Sequence, residues 1–301
     1  NIVFGFGTSQ VIICILLVMA IAWGLGLNWH VGLVLGGALA MSSTAIVIKM
    51  LAERAELNST HGRQIIGVLL FQDLAVIPLL IIVPALASEI DSDSSDFGLM
   101  FAIAILKVIS VLALILFFGQ KLMRPWFHLV ARQKSSELFV LNVLLITLGL
   151  AWLTELAGLS LALGAFLAGM LISETEYRYQ VEDDIKPFRD ILLGLFFITI
   201  GMLLDMQVVV ENFVWVFAIL AALIGLKIVL IAGLSRLFGT DASVAVRTGM
   251  NLAQSGEFGF VLLAQAGGIG LVGNSILQPV LAAMVLSMFI AAFIIEYSGS
   301  V

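Results

Sequence analysis

Long apolar runs follow one another along almost the whole sequence, with short polar interruptions between them. A helix that spans a bilayer needs about 20 mostly apolar residues, because the hydrocarbon core is about 30 Å thick. The chain has 301 residues, of which 61% are hydrophobic and 11% are charged, whereas about a quarter of an average soluble domain is charged. The sequence therefore predicts an all-α polytopic membrane protein, with membrane lipid around it.

Polar interruptions and Gly, Pro and Asn turn signals divide the chain into ten predicted spans. They lie near residues 5–27, 31–52, 62–88, 97–123, 136–156, 159–174, 189–206, 209–237, 242–268 and 274–297. Eleven of the 14 Lys and Arg residues fall in connections on one side of these spans, from Arg54 to Arg247. The opposite connections carry acidic residues instead: Glu89, Asp91, Asp93, Asp96, Asp205 and Glu211. Since basic residues collect on the cytoplasmic side, we expect a multi-pass protein of the cell (inner) membrane, with a cytoplasmic C-terminus.

Several other classes of protein are disfavoured by composition. The formal charge of −6 and the lack of a Lys/Arg cluster argue against a nucleic-acid partner. Cys14 is the single cysteine, which excludes a disulfide framework and a CxxC pair. The sequence starts at Asn1 without a methionine, and we expect it to be part of a longer chain.

Two of the predicted spans contain polar breaks, "ALAMSSTAIVI" in the second and "NLAQSGEFGFVLL" in the ninth. Irregular backbone at membrane depth is tolerated only where protein or a water-filled cavity satisfies it. The two spans are seven apart, so they cross the membrane in opposite senses. This pattern is typical of an inverted repeat with two crossed discontinuous helices around a central ion site, and it indicates a transporter.

Asp73 lies near the middle of the third span, in "LLFQDLAVIPLL". A charged residue at this depth costs about 2.5 to 3.5 kcal/mol on insertion scales, so we expect Asp73 to face the cavity and to bind a proton or a cation. The alternative is an Asp that only pairs with Lys227 or caps a broken helix. Lys227, deep in the eighth span, either offsets half-helix dipoles, forms a structural ion pair or takes part in transport.

The breaks supply further candidate site residues. Ser43 and Thr44 either provide oxygen ligands for an alkali ion or satisfy the unwound backbone. Gln254, Ser255 and Glu257 occupy the other break, where we expect Glu257 to neutralise a half-helix N-terminus rather than to bind ions.

Five segments together resemble one known group, the Kef-type potassium efflux proteins of the monovalent cation:proton antiporter-2 family. They are "MSSTAIVIKML", "GVLLFQDLAVIPLL", "GLSLALGAFLAGMLI", "PFRDILLGLFFITIGM" and "AQSGEFGFVLLA". The resemblance implies a homodimer and thirteen helices in the full membrane domain, ten of which are present here. It also implies a moving core from residues 1–88 and 208–301, a connection at 89–134 and a dimer scaffold at 135–207.

By this resemblance Asp73 is the ion-binding aspartate, and Gln72 stands where many sodium-exporting relatives have Asn or Asp. Gln72 can stay neutral and offer a carbonyl oxygen. The implied function is K⁺/H⁺ exchange by elevator-type alternating access, with both ions competing at Asp73 and no cofactor. Na⁺/H⁺ exchange and a ligand-gated K⁺ efflux channel are the alternatives. An intramembrane protease is disfavoured, because no second aspartate or histidine lies at depth, so we expect no enzyme activity.

The segment "EYRYQVEDDIKPFRD" resembles the Kef regulatory loop, here at residues 174–190. Its acidic positions fall on Glu182 and Asp184. The resemblance implies a C-terminal nucleotide-binding regulatory domain, absent from this sequence, as a partner of this loop. Lys186 stands where another acid is expected, so glutathione gating remains an open alternative.

Overall fold

The computed structural model describes residues 2–90, 97–133, 135–157 and 159–299, and for residues 2–4, 87–90, 97–105 and 107–109 it describes the backbone only. Thirteen helices lie in these ranges. They are α1 Ile2–Gly24, α2 Trp29–Ala40, α3 Thr44–Glu53, α4 Thr60–Ile90, α5 Phe97–Ala131, α6 Ser136–Leu156, α7 Leu161–Ser173, α8 Arg178–Leu203, α9 Met206–Glu211, α10 Phe213–Leu237, α11 Ala242–Asn251, α12 Glu257–Gly268 and α13 Asn274–Ser298.

Six helical segments of the described residues are long and apolar enough to cross a membrane: α1, the α2–α3 pair taken together, α4, α6, α10 and α13. The shorter α7 is also apolar. The all-α polytopic prediction is therefore confirmed. The acidic connection expected at Asp91, Asp93 and Asp96 lies outside the described residues.

Both predicted interruptions are present. The second predicted span divides into α2 and α3 at 41–43, and the ninth divides into α11 and α12 at 252–256. The predicted span at 209–237 also divides, because Asp205 caps a separate short helix by accepting from the backbone NH groups of Gln207 and Val208 at 3.0 and 3.3 Å.

The regulatory segment differs from its prediction as a loop. Helix α8 already begins at Arg178 and runs without a break to Leu203, with Pro187 inside it. The prediction was wrong here because it read a run of charges as a connection. A charged stretch also forms a stable helix when its side chains pair at helical spacing, as Lys186 and Asp183 do at 2.8 Å.

The chain folds as two compact units. The first comprises residues 1–79 and 201–301, and the second comprises 80–200. In the first unit a buried cluster joins α1, α3, α4, α10 and α13; it includes Phe6, Val47, Leu69, Ile231 and Ile295. The predicted division into core, connection and scaffold remains a prediction.

Aromatic packing organises the second unit. Phe127 of α5 meets Phe139 of α6 edge-on, with ring centroids 5.6 Å apart, and stacks with Tyr177 at 6.0 Å. Trp126 donates a hydrogen bond to the side-chain oxygen of Asn142 at 2.6 Å. These contacts fix α5, α6 and the start of α8 to one another.

Candidate ion-binding site

The first break, Met41 to Ser43, is fully buried. Ser43 ends it by capping α3, because its hydroxyl oxygen accepts from the backbone NH of Ile46 at 3.3 Å. Serine is a favoured N-cap for this reason. Its hydroxyl therefore supports the start of α3, and its role as an ion ligand stays a prediction.

A chain of two glutamines holds the first break. The carbonyl oxygen of Gln72 accepts from the backbone NH of Ser42 at 2.8 Å. The amide of Gln72 donates to Gln10 at 2.9 Å, and the amide of Gln10 donates to the carbonyl oxygen of Ala40 at 3.1 Å. Gln72 thus supports the unwound backbone, and the oxygen expected to face an ion is engaged with Ser42.

The second break, 252–256, lies directly against the first. A Cβ added to Gly256 would come within 2.5 Å of the backbone oxygen of Ser42, and one added to Gly259 would come within 2.5 Å of that of Ala38. Glycine is required at such close approaches. The Ser42 hydroxyl also donates to the Leu252 carbonyl at 2.9 Å. The two interrupted helices therefore cross at their breaks.

Lys227 lies at this crossing and is 2% exposed. Its ammonium donates to the carbonyl oxygens of Met41 at 2.8 Å and Gln254 at 2.7 Å, and to the Ser42 hydroxyl at 2.9 Å. These three bonds use all three ammonium protons and link both breaks. The geometry favours the role of offsetting half-helix dipoles, and no salt bridge between Lys227 and Asp73 occurs among the described residues.

Asp73 is partly buried on α4 and faces the start of α3. The Thr44 hydroxyl lies 3.3 Å and 3.4 Å from its two carboxylate oxygens. Thr44 is the first residue of α3, so the carboxylate sits at a helix N-terminus, where the partial positive charge favours an anion. The Glu257 carboxylate is close enough to Asp73 for the two negative charges to repel each other. One threonine hydroxyl and a helix end leave this carboxylate free to take a proton or a cation.

Three polar atoms in the second break and at the first residue of α12 have no hydrogen-bond partner in the described part of the chain, although they are buried. They are Nε2 of Gln254, Oγ of Ser255 and Oε2 of Glu257. Buried polar atoms are almost always partnered. Water or a cation is therefore the expected partner of the two oxygens.

The structure brings most of the predicted site residues together in the first unit. Those on the two breaks, on α4 and on α10 meet around the crossing. Sequence reasoning missed two residues that support them: Gln10, and Ser287, whose hydroxyl accepts from the Ser255 backbone NH at 3.0 Å. Gln10 could have been found from the sequence, because it is a polar residue inside an apolar span.

The predicted regulatory residues lie elsewhere. Glu182 and Asp184 are on α8, in the second unit, the first exposed and the second partly buried. Between them Asp183 accepts a hydrogen bond from Lys186 and raises the pKa of its ammonium, since the nearby negative charge favours the protonated form. This pair turns Lys186 toward its own helix.

Comparison with known proteins gives a consistent result. The family model described as "Sodium/hydrogen exchanger, transmembrane" matches residues 1–297. A protein of Alkalimonas amylolytica named as a K⁺ efflux antiporter, KefB, is 42% identical over 98% of this chain and 44% of its own length. K⁺ efflux antiporter 1, chloroplastic, of Arabidopsis thaliana is 41% identical over 94% of this chain and 24% of its own.

A third relative is the glutathione-regulated potassium-efflux system protein KefC of Salmonella heidelberg (strain SL476), which is 39% identical over 95% of this chain and 46% of its own length. The chain thus spans less than half the length of these relatives. The resemblance to Kef-type proteins is confirmed, as is the expectation of a transporter family rather than an enzyme family.

Proposed function

Because this chain belongs to the transmembrane sodium/hydrogen exchanger family, we propose that it exchanges a monovalent cation for protons, with K⁺ as the cation. The observation that carries this proposal is the position of Asp73. Its carboxylate lies at the N-terminus of the half-helix α3, where, in the part of the chain that the structure describes, the Thr44 hydroxyl is its hydrogen-bond donor. A titratable group in this setting can bind either ion but not both at once.

The cation ligands follow from the same geometry. Alkali ions bind oxygen ligands, as hard cations do, and Asp73 and Thr44 supply three oxygens. Oε2 of Glu257 and Oγ of Ser255, at the second break, are buried oxygens that have no hydrogen-bond partner in the described part of the chain. We leave Gln72 out of the proposed set, because its carbonyl oxygen already accepts from the Ser42 backbone NH. Its neutral side chain leaves Asp73 as the titrating residue of the Gln-Asp pair, which is consistent with one cation exchanged for one proton.

K⁺ is preferred over Na⁺ because three similar proteins are named for K⁺ or potassium efflux. An exchange assay with K⁺ and Na⁺ in parallel tests this choice. A channel is separated from an antiporter by driving force: a pH gradient moves K⁺ against its own gradient only through coupled exchange.

Alternating access is part of the proposal. Residues 1–88 and 208–301 form the moving core, 135–207 form the scaffold of a homodimer in the cell (inner) membrane, and 89–134 connect them. Glu182 and Asp184 on α8 are proposed to contact a cytoplasmic regulatory domain of the longer protein, by analogy with the relative named as glutathione-regulated. Cross-linking of α8 to that domain in the full-length protein is the test of this contact.

Proton and cation competition predicts a pH dependence with a definite sign. As pH falls, more Asp73 is protonated, so the apparent affinity for K⁺ should fall. The change should approach about tenfold per pH unit once the pH is well below the pKa of this carboxyl group. Saturating K⁺ should restore the rate. The measurement is the rate of exchange in proteoliposomes against K⁺ concentration at several pH values. An apparent affinity that does not change with pH, while the maximal rate does, would place the proton at another group.

Glu257→Gln should weaken exchange without abolishing it. The carboxylate is at the first position of α12, where a negative charge stabilises a half-helix by up to ~2 kcal/mol, so the rate should fall by about thirtyfold or less. Glu211→Gln, the same change at an exposed position of α9, is the control and should leave the rate unchanged. Complete loss of exchange in folded Glu257→Gln protein would make Glu257 an essential ion ligand.

A further inference from the structure

A narrow apolar recess lies inside the first unit, between α1, α2, α10 and α13, with a volume of about 190 Å³. One wall of it is a stripe of α1 together with the residue that follows this helix: Cys14, Leu17, Val18, Ile21, Ala22 and Leu25. Residues three and four positions apart share a helix face. The axial rise from Cys14 to Leu25 is roughly 16 Å at 1.5 Å per residue. The recess is therefore elongated along α1.

Helix α10 forms the opposite wall with a matching stripe: Ile219, Ala222, Leu223, Leu226, Lys227 and Leu230. The two helices are antiparallel, because the ring of Phe6 near the start of α1 lies 5.7 Å from that of Phe238, just after α10. Cys14 and Lys227 are close enough to interact electrostatically, so both lie at the same end of the recess. Leu25 marks its other end.

The recess offers an occupant only hydrocarbon. Cys14 and Lys227 are the described lining residues whose side chains carry a polar or sulfur atom. The Lys227 ammonium is already bonded to Met41, Ser42 and Gln254, so its aliphatic stem faces the recess. Dry apolar cavities of about 150 Å³ take up benzene-sized molecules. The present recess is somewhat larger and equally apolar, so it favours an uncharged apolar ligand.

The position of the recess identifies the source of that ligand. Helices α1 and α10 are both long and apolar enough to span a membrane, so the recess lies at the depth of the hydrocarbon. Lining residues on its open side are exposed, Leu25 by 66% and Ile21 by 45%. Its length of roughly 16 Å is about half of the ~30 Å hydrocarbon thickness, which is the depth of one leaflet. It runs from the end of α1 to mid-membrane.

We propose that this recess binds one acyl chain of a bilayer phospholipid, which enters beside Leu25 and ends against Cys14 and the stem of Lys227. An acyl chain that descends from a headgroup has the length, direction and chemistry of the space. The end of the acyl chain packs against the aliphatic stem of Lys227, whose ammonium links the two breaks. The proposal does not depend on which ions the protein exchanges.

Photoreactive phospholipids test the proposal on the unmodified full-length protein in vesicles of phosphatidylethanolamine and phosphatidylglycerol. One lipid carries a diazirine near the end of its acyl chain and the other carries it near the ester. The first should label the peptides that contain Cys14 and Lys227, and the second should label the peptide that contains Leu25. Both signals should exceed labelling of the exposed α6 residue Leu145 at least fivefold. Labelling that does not depend on the diazirine position, or that matches Leu145, would overturn the proposal.

A pair of variants tests the same site by filling it. Ala222 lines the recess, and Ala221 is its exposed neighbour on α10 that does not. Ala222→Phe should reduce labelling of the Cys14 peptide at least fivefold, while Ala221→Phe should leave it within twofold of the unmodified protein. Equal labelling of the two variants would overturn the proposal, as would a cross-link from the recess to another segment of the protein in place of lipid.

Discussion

Asp73→Asn is expected to insert and fold but to lose cation–proton exchange, down to the rate of empty vesicles. The amide keeps the shape of the side chain, and its oxygen can still accept from the Thr44 hydroxyl, which lies 3.3 Å from the carboxylate. It has neither a proton to release nor a negative charge for a cation. Exchange should be measured as pH-driven K⁺ uptake into proteoliposomes, with folding followed by size-exclusion chromatography.

Asp205→Asn is the matched control. Asp205 caps α9 by accepting from two backbone NH groups, and Asn caps helices about as well as Asp does, so this variant should exchange normally. Because the substitution is the same, a general cost of removing a carboxylate would affect both variants. Appreciable coupled exchange by Asp73→Asn would contradict the proposed role of Asp73.

The crossed helices could be predicted from sequence because each break is marked by polar residues within a short apolar stretch, and such residues cost free energy in lipid. The pair Ser42–Ser43 interrupts one apolar run at 41–43, and a Gln-Ser-Gly sequence interrupts the other at 252–256. Such interruptions are costly in lipid unless other parts of the protein satisfy the backbone. The two spans are seven apart in the order of spans, and this odd offset means that they cross the membrane in opposite directions. Asp73 was found for the same reason: an intramembrane carboxylate is a functional candidate by default.

The hydrogen-bond partners of the polar site residues could not be predicted from sequence, because they depend on how each helix is rotated and how far it is shifted along its neighbours. Gln72 and Gln10 are 62 positions apart in sequence, and only the packing of α1 against α4 turns them toward each other. The bond from the Ser42 backbone NH to the Gln72 oxygen was missed for this reason, and the binding of an ion by this oxygen stays a prediction. Lys227 was consistent with three roles, and the choice between them required the positions of the Met41 and Gln254 carbonyls.

The extent of α8 was missed for a different reason. Hydropathy identifies the part of a helix that lies in lipid, and it carries no information about how far the helix continues into water. The charged residues before 189 continue the helical hydrogen bonding to Arg178. The same limit explains why α5 runs to Ala131, eight residues past its predicted end.

Lys227→Met should cause a large loss of stability. The methionine fits the aliphatic space but leaves the Met41 and Gln254 carbonyls without the Lys227 donor, and the Ser42 hydroxyl keeps only the weaker bond from Gln72 at 3.4 Å. Each buried acceptor left unsatisfied costs about 1 to 3 kcal/mol, so the free energy of unfolding should fall by roughly 3 kcal/mol or more. The measurement is the apparent unfolding temperature in detergent, which we expect to drop by about 5 °C or more.

Lys49→Met is the control for this change, because Lys49 is exposed on α3 and the substitution removes the same charge. It should leave the unfolding temperature nearly unchanged. The pair also decides what Lys227 does. If its work is to hold the two breaks together, Lys227→Met loses stability and exchange together, and conditions that restore the fold restore part of the exchange. A variant as stable as the Lys49→Met protein but without exchange would instead show that the ammonium acts on the transported ions directly.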